Sequence, residues 1–176
     1  MRRQSAILAV LFLTACCVGP PEPKPEPSSQ PVAVPPPPAP PPVVYGPDWR
    51  DWPLTPGDWR YAPGAGGSSA SYGQPGLAPE LVVRCVTARR MVTISRPAAG
   101  ATATGRITIR TTTGETSHAA IAGADGQGWT ADLPAADGTL DAMAFSRGRF
   151  MVTAPGAARL IVPAWPEFTR VVEDCR

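Results

Sequence analysis

Lysine is almost missing from this chain: Lys24 is the only one, and every other cationic side chain is arginine. Charge of either sign is modest, with 16 basic and 14 acidic residues and a formal net charge of +2. A balance so near neutral does not build the basic face that nucleic acid demands. Histidine occurs once, at His118, and cysteine four times, at Cys16, Cys17, Cys85 and Cys175. One histidine and two separated downstream cysteines do not make a tetrahedral metal set. No apolar run reaches the roughly 20 residues that a membrane-spanning helix needs. Phosphate loops, calcium loops and nucleotide fingerprints are missing, and no serine stands in a Gly-x-Ser-x-Gly elbow. These gaps leave no cofactor, metal or small-molecule substrate to expect, and they argue against an enzyme.

What the chain has in excess is proline, 24 residues of it, crowded into the N-terminal third. Ahead of that stretch, Met1-Arg2-Arg3 and the short apolar run at 6–13 have the form of a secretory signal. Leu13-Thr14-Ala15-Cys16 then resembles the lipobox of bacterial lipoproteins. The resemblance implies cleavage before Cys16, acylation of its thiol and acylation of the new amino terminus. More than one acyl chain gives stable anchoring where a single chain does not, so the protein is expected to sit on a membrane through lipid alone. No aspartate follows Cys16, which in the sorting logic of such lipoproteins implies the outer membrane, periplasmic face. Cys17 is the odd thiol, either a passenger beside the lipid or half of an intermolecular bridge.

Three segments follow: a signal peptide at 1–15, the lipidated cysteine with a proline-rich linker at 16–47, and a β-rich domain at 48–176. Proline excludes regular helix and sheet. The linker is therefore expected as polyproline II, rising about 3.1 Å per residue and reaching on the order of 80–90 Å when fully extended. Its plain reading is a spacer between lipid and domain; a recognition ligand is the alternative.

The domain opens on Trp49, Trp52 and Trp59. Trp59 alternates with Tyr61 as in a strand and is expected to pack, whereas Trp49 and Trp52 lie near prolines and are candidates for an exposed interaction surface. A Gly/Ser-rich stretch separates them from strand-like runs at 80–86, 91–95, 105–111, 115–122, 129–133, 148–153 and 159–162, with turn residues between. In the clearest run Ile107 and Ile109 face inward, while Arg106, Thr108 and Arg110 face out. This spacing predicts a mainly β fold, a small antiparallel sandwich or partly closed barrel. A short internal helix is expected at 139–146 behind Asp137. A C-terminal helix is expected at 166–175, with Phe168, Val171, Val172 and Cys175 on one face. In an oxidising compartment Cys85 and Cys175 are expected to form a disulfide.

Arg147 and Arg149 flank Gly148 and are further candidates for an interaction surface. His118 reads as a packing or surface residue. Asp137 and Asp141 read as helix-capping groups in preference to a catalytic carboxylate pair. The stretch from Leu140 through Phe150, with the ending from Trp165 through Arg176, resembles uncharacterised envelope proteins of alphaproteobacteria. That resemblance implies a secreted β-rich domain and no known activity. The sequence thus points to a non-enzymatic interaction or structural module of the envelope, with an envelope protein or peptidoglycan as partner. The alternative is a periplasmic inhibitor of a lysozyme or protease.

Overall fold

The computed structural model describes Gly19 and residues 46–101, 104–123 and 127–176. The signal peptide, Cys16, Cys17 and almost all of the linker lie outside the described residues.

The domain is one nine-stranded sheet, antiparallel at every pairing and curled into a half-barrel. The strands are β1 (Asp58–Ala62), β2 (Ser69–Gly73), β3 (Leu81–Val86), β4 (Met91–Pro97), β5 (Thr104–Thr111), β6 (Gly114–Ala122), β7 (Gly128–Pro134), β8 (Arg149–Thr153) and β9 (Leu160–Pro163). Helix α1 (Gly138–Ala144) joins β7 to β8, and α2 (Pro166–Asp174) ends the chain. The spatial order is β1-β2-β3-β4-β7-β6-β5-β8-β9. β4 thus lies beside β7 and not beside its sequence neighbour β5, as in a Greek key.

Alternation builds the core. Val92 and Ile94 of β4, Ile107 and Ile109 of β5, and Ala131 and Leu133 of β7 all point inward and are buried. At about 1.5–3 kcal/mol for each large aliphatic side chain taken out of water, this interior is the main source of stability. One aromatic group joins four elements. The Trp59 ring centroid lies 5.3 Å from Tyr72, 6.2 Å from Phe168 and 6.5 Å from Phe150. Trp59 also donates its indole N–H to the carbonyl of Pro163 at 2.9 Å. Beside it, the Thr55 N–H donates to the Ile161 carbonyl (2.9 Å), and Ile161 N–H donates to Thr55 Oγ1 (3.0 Å). The Trp59 bond ties edge strand β1 to the end of edge strand β9, and the two Thr55 bonds hold the segment ahead of β1 against β9.

β2 is the strand that composition hid, because Ser69-Ala70-Ser71-Tyr72-Gly73 sits in the Gly/Ser-rich stretch. Only Ala70 and Tyr72 mark its inward face. The chain can enter it because Gly67 adopts φ +127°, where a Cβ would lie 2.3 Å from the Cys85 carbonyl oxygen.

Both helices cap the sheet as their apolar spacing requires. Asp137 accepts the Thr139 N–H at 2.8 Å and starts α1, which buries Leu140 and Met143. α2 begins with Pro166 at its first turn and buries Phe168, Val171 and Val172. It packs against β1, β2, β3 and α1. The residue after it, Cys175, is disulfide-bonded to Cys85 of β3, with their Cα atoms 5.3 Å apart across 90 residues of sequence.

Candidate functional site

Three of the four side chains proposed as an interaction surface come together, and they face the domain itself. Asp48 caps a single turn of 3-10 helix at Trp49–Asp51, accepting the Arg50 N–H at 3.0 Å. The Arg50 guanidinium beside it holds the Asp48 carboxyl below the usual carboxylate range. This turn lays the Trp49 indole on Met151 of β8 and Ile161 of β9, and only 6% of Trp49 stays exposed. The Arg110 guanidinium stands 5.8 Å from the Trp49 ring, and that of Arg159 stands 4.5 Å from the Trp52 ring. Trp52 is half-buried. Its indole N–H donates to the Gly46 carbonyl at 2.6 Å, and its own carbonyl accepts from Arg149 Nη1.

Trp49 is therefore not an exposed stacking residue, contrary to the expectation from its prolines. β8 and β9 carry apolar side chains on both faces, and the outward pair Met151 and Ile161 needs a cover. The unbroken apolar runs Phe150-Met151-Val152 and Leu160-Ile161-Val162 were the available signal. The segment 46–56 is a strap that seals the outside of β8 and β9. Arg147 stands apart. Its backbone N–H donates to Thr112 Oγ1 at 3.1 Å, and the residue is exposed.

His118 is half-buried, and its Nε2 lies 3.0 Å from Thr139 Oγ1, tying β6 to the first turn of α1. Asp137 caps that same turn, and Asp141 pairs with Arg176 at 2.6 Å. These groups hold elements together: His118 and Asp137 both bind Thr139, and Asp141 binds the C-terminal residue Arg176.

Two open clefts carry polar chemistry that the sequence reading did not single out. The first, about 870 Å³, runs between β1 and the polar side of α2. Trp59 and Tyr61 form one wall, and Glu167, Arg170, Glu173 and Asp174 form the other. The α2 residues recur at helical spacing, so the polar stripe opposite the buried face was legible as a pattern. Within the cleft, Arg170 lies over the Tyr61 ring at 4.4 Å. Asp174 accepts hydrogen bonds from Tyr61 (2.7 Å) and Ser68 (2.5 Å), which hold its carboxyl below the ordinary range, Ser68 more strongly than Tyr61. Glu167 has one buried oxygen, Oε2, without a hydrogen-bond partner. Two apolar side chains adjoin the cleft in the chain: Phe145, 78% exposed, follows its Ala144, and Trp165, 41% exposed, lies between its Ala164 and Pro166.

The second cleft lies at Arg96, an arginine on the inward face of β4 that is only 4% exposed. Nη1 donates to the Glu80 carbonyl (2.7 Å), and Nη2 donates to the Ala158 carbonyl (2.9 Å). Burial pulls the guanidinium below its usual pKa, and the nearby Glu80 carboxylate offsets part of that shift. All of this reads as a polar plug between two loops.

Searches against protein-family models, curated proteins and solved structures find no match to this chain.

Proposed function

We propose that this chain is a lipid-anchored lipoprotein of the cell envelope, whose disulfide-closed β domain is a non-enzymatic interaction or structural module. The observation that carries the reading is the order Leu13-Thr14-Ala15-Cys16, then the proline-rich stretch, then a domain held by the Cys85–Cys175 disulfide. A disulfide of this kind belongs to an oxidising compartment, and a lipobox behind a secretory signal leads to one. The lipid supplies the membrane attachment and the proline stretch supplies distance. The domain then meets an envelope protein or peptidoglycan on the periplasmic side of the outer membrane. Support for a binding role comes from the use of His118 in packing, Asp137 in capping and Asp141 in an ion pair with Arg176, together with the open cleft along α2.

Fractionation of cells expressing Cys16→Ala tests the anchor. The variant is expected in the soluble periplasmic fraction, with the parent protein in the membrane. Continued membrane fractionation of the variant would refute lipidation at Cys16. Crosslinking in intact cells, followed by identification of the captured molecule, tests the role. A stable one-to-one complex with a lysozyme or protease would replace the module by an inhibitor.

A further inference from the structure

We infer that β6 from Glu115 to Ala119 is a strand-addition edge, which receives an extended segment of a partner protein carrying a carboxylate beside Arg106. The inference rests on the interaction-module reading and names its face and the chemistry of its partner.

The first ground is a split in the sheet. β6 pairs with β5 along almost its whole length, yet it pairs with β7 only at Ile121–Thr130 and Ala122–Trp129. In an antiparallel ladder the backbone groups of alternate residues point to the same side. Just past the last pair, the Gly123 N–H donates to the Gly128 carbonyl at 2.9 Å. The backbone groups of Ile121, Ala119, Ser117 and Glu115 therefore all point away from β5. Those of Ile121 meet β7, whereas those of Ala119, Ser117 and Glu115 face the split, with no backbone partner among the described residues. Glu115, Thr116 and Ala119 are exposed, so the strand is accessible from both of its faces. The outer edges of the sheet are covered. Both backbone groups of Ile161 in β9 bond to Thr55, and β1 packs against α2. An open strand edge is a template for another strand, and main-chain bonds supply the affinity of such additions.

Charge decides the occupant. Arg106 of β5 stands opposite Ala119, and its guanidinium reaches over β6 to Ser117. There Nε donates to Ser117 Oγ at 3.0 Å, and Nη2 donates to the Ser117 carbonyl. A charged side chain thus guards the middle of the edge in the free protein. Both acceptors are neutral, and Arg106 has no ion-pair partner among the described residues. Two copies pairing through β6 about a two-fold axis at Ser117 would bring their Arg106 guanidiniums together, and like charges across a strand pair are destabilising. A strand with a carboxylate at that position gives Arg106 a charge-assisted bond and frees the Ser117 carbonyl for the strand's own N–H. Ile121, 63% exposed and on the same face as Ser117 and Ala119, offers apolar contact beside it.

Amide hydrogen exchange, read by NMR on the purified full-length protein in a non-ionic detergent, tests this. The probes are the capped heptapeptide Thr-Val-Thr-Glu-Thr-Val-Thr, its lysine-centred twin, and the glutamate form with every backbone nitrogen methylated. The glutamate peptide is expected to slow exchange at Glu115, Ser117 and Ala119 and to leave Thr116 and His118 unchanged. The lysine peptide is expected to bind about 3–5-fold more weakly, and the methylated one not at all. Arg106→Glu is expected to reverse the order of the first two. Ala119→Pro, a change that a strand edge tolerates where the N–H faces outward, is expected to abolish binding. Thermal melts verify that each variant is folded. Lack of protection by the glutamate peptide, protection confined to other strands, binding of the methylated form, or an unchanged order in Arg106→Glu would overturn the inference. Protection of the same amides that rises with protein concentration alone would also overturn it, in favour of a second copy. Fractionation of Cys16→Ala and crosslinking in cells read the anchor and the module independently, so their failure and the failure of this edge are separable.

Discussion

Arg96 shows how one side chain can close one end of a β-barrel-like core. It continues the inward face begun by Val92 and Ile94, so strand parity directs a charged group into the interior. There its two terminal nitrogens satisfy the carbonyls of Glu80 and Ala158, from loops far apart in sequence. Arg96→Ala removes both bonds and strands two carbonyls. A loss of about 2–4 kcal/mol is expected in denaturant melts. The same parity argument, extended one step past Ile94, would have found this residue in the sequence; a charged residue near a strand end reads by habit as surface.

Asp174 makes a pH-dependent contribution at the same scale. Hydrogen bonds from Ser68 and Tyr61 lower its carboxyl pKa below the unfolded value of 3.8. A carboxyl depressed in the folded state stabilises the fold fully above its unfolded pKa and loses that contribution as pH falls through the folded one. The window therefore lies below about pH 4. Asp174 is exposed, so solvent screening keeps the contribution small. The stability difference between the parent and Asp174→Asn is expected to be constant from pH 5 to 7 and to shrink towards zero in more acidic melts.

Among the elements, the strap at 46–56 and β2 were the least legible from sequence. Local composition describes the strap as proline-rich and the strand as Gly/Ser-rich, and both descriptions are true. What gives each its structure is a neighbour: the outer face of β8 and β9 for Trp49, and the edges of β1 and β3 for β2. Strands with strong alternation behaved differently. β5 and β6 form a hairpin as their alternation implies, with Thr111 opposite Gly114 and Thr104 opposite Ile121, so that Thr112-Thr113 make the turn. Trp49→Ala exposes Met151 and Ile161 while leaving the interior intact. It is expected to cost about 2–3 kcal/mol, at or below the bottom of the range for a large buried aromatic because the site is peripheral. Hydrogen exchange should rise in β8 and β9 before it rises in β4 and β7.

For the molecule as a whole, the disulfide ties the first half of the domain to its last residues. Closing a loop of 90 residues constrains the unfolded chain by about 4–5 kcal/mol in the chain-entropy account, an upper value. For a single domain of this size that is a large share of total stability. The paired Cys85→Ser and Cys175→Ser variant is expected to unfold at markedly lower denaturant concentration. Its loss should localise to α2 and β3 in exchange experiments, and an unchanged midpoint would show the bond to be incidental.

The amino-acid sequence alone determined the strand-rich character, the two helices and the Cys85–Cys175 pairing, because each rests on local periodicity or on simple counting of thiols. Alternation needs no knowledge of neighbours, and a helix face repeats within a few turns. Tertiary structure alone decided that the sheet curls into a half-barrel with β4 beside β7, and that Trp49 lies inside a seam. It also decided that Arg96 is buried and that α2 and β1 enclose an acidic cleft. Each of those depends on groups dozens of residues apart meeting at a few ångströms, and the covering of an apolar face or the neutralising of a charge is settled only by what the completed fold brings opposite it.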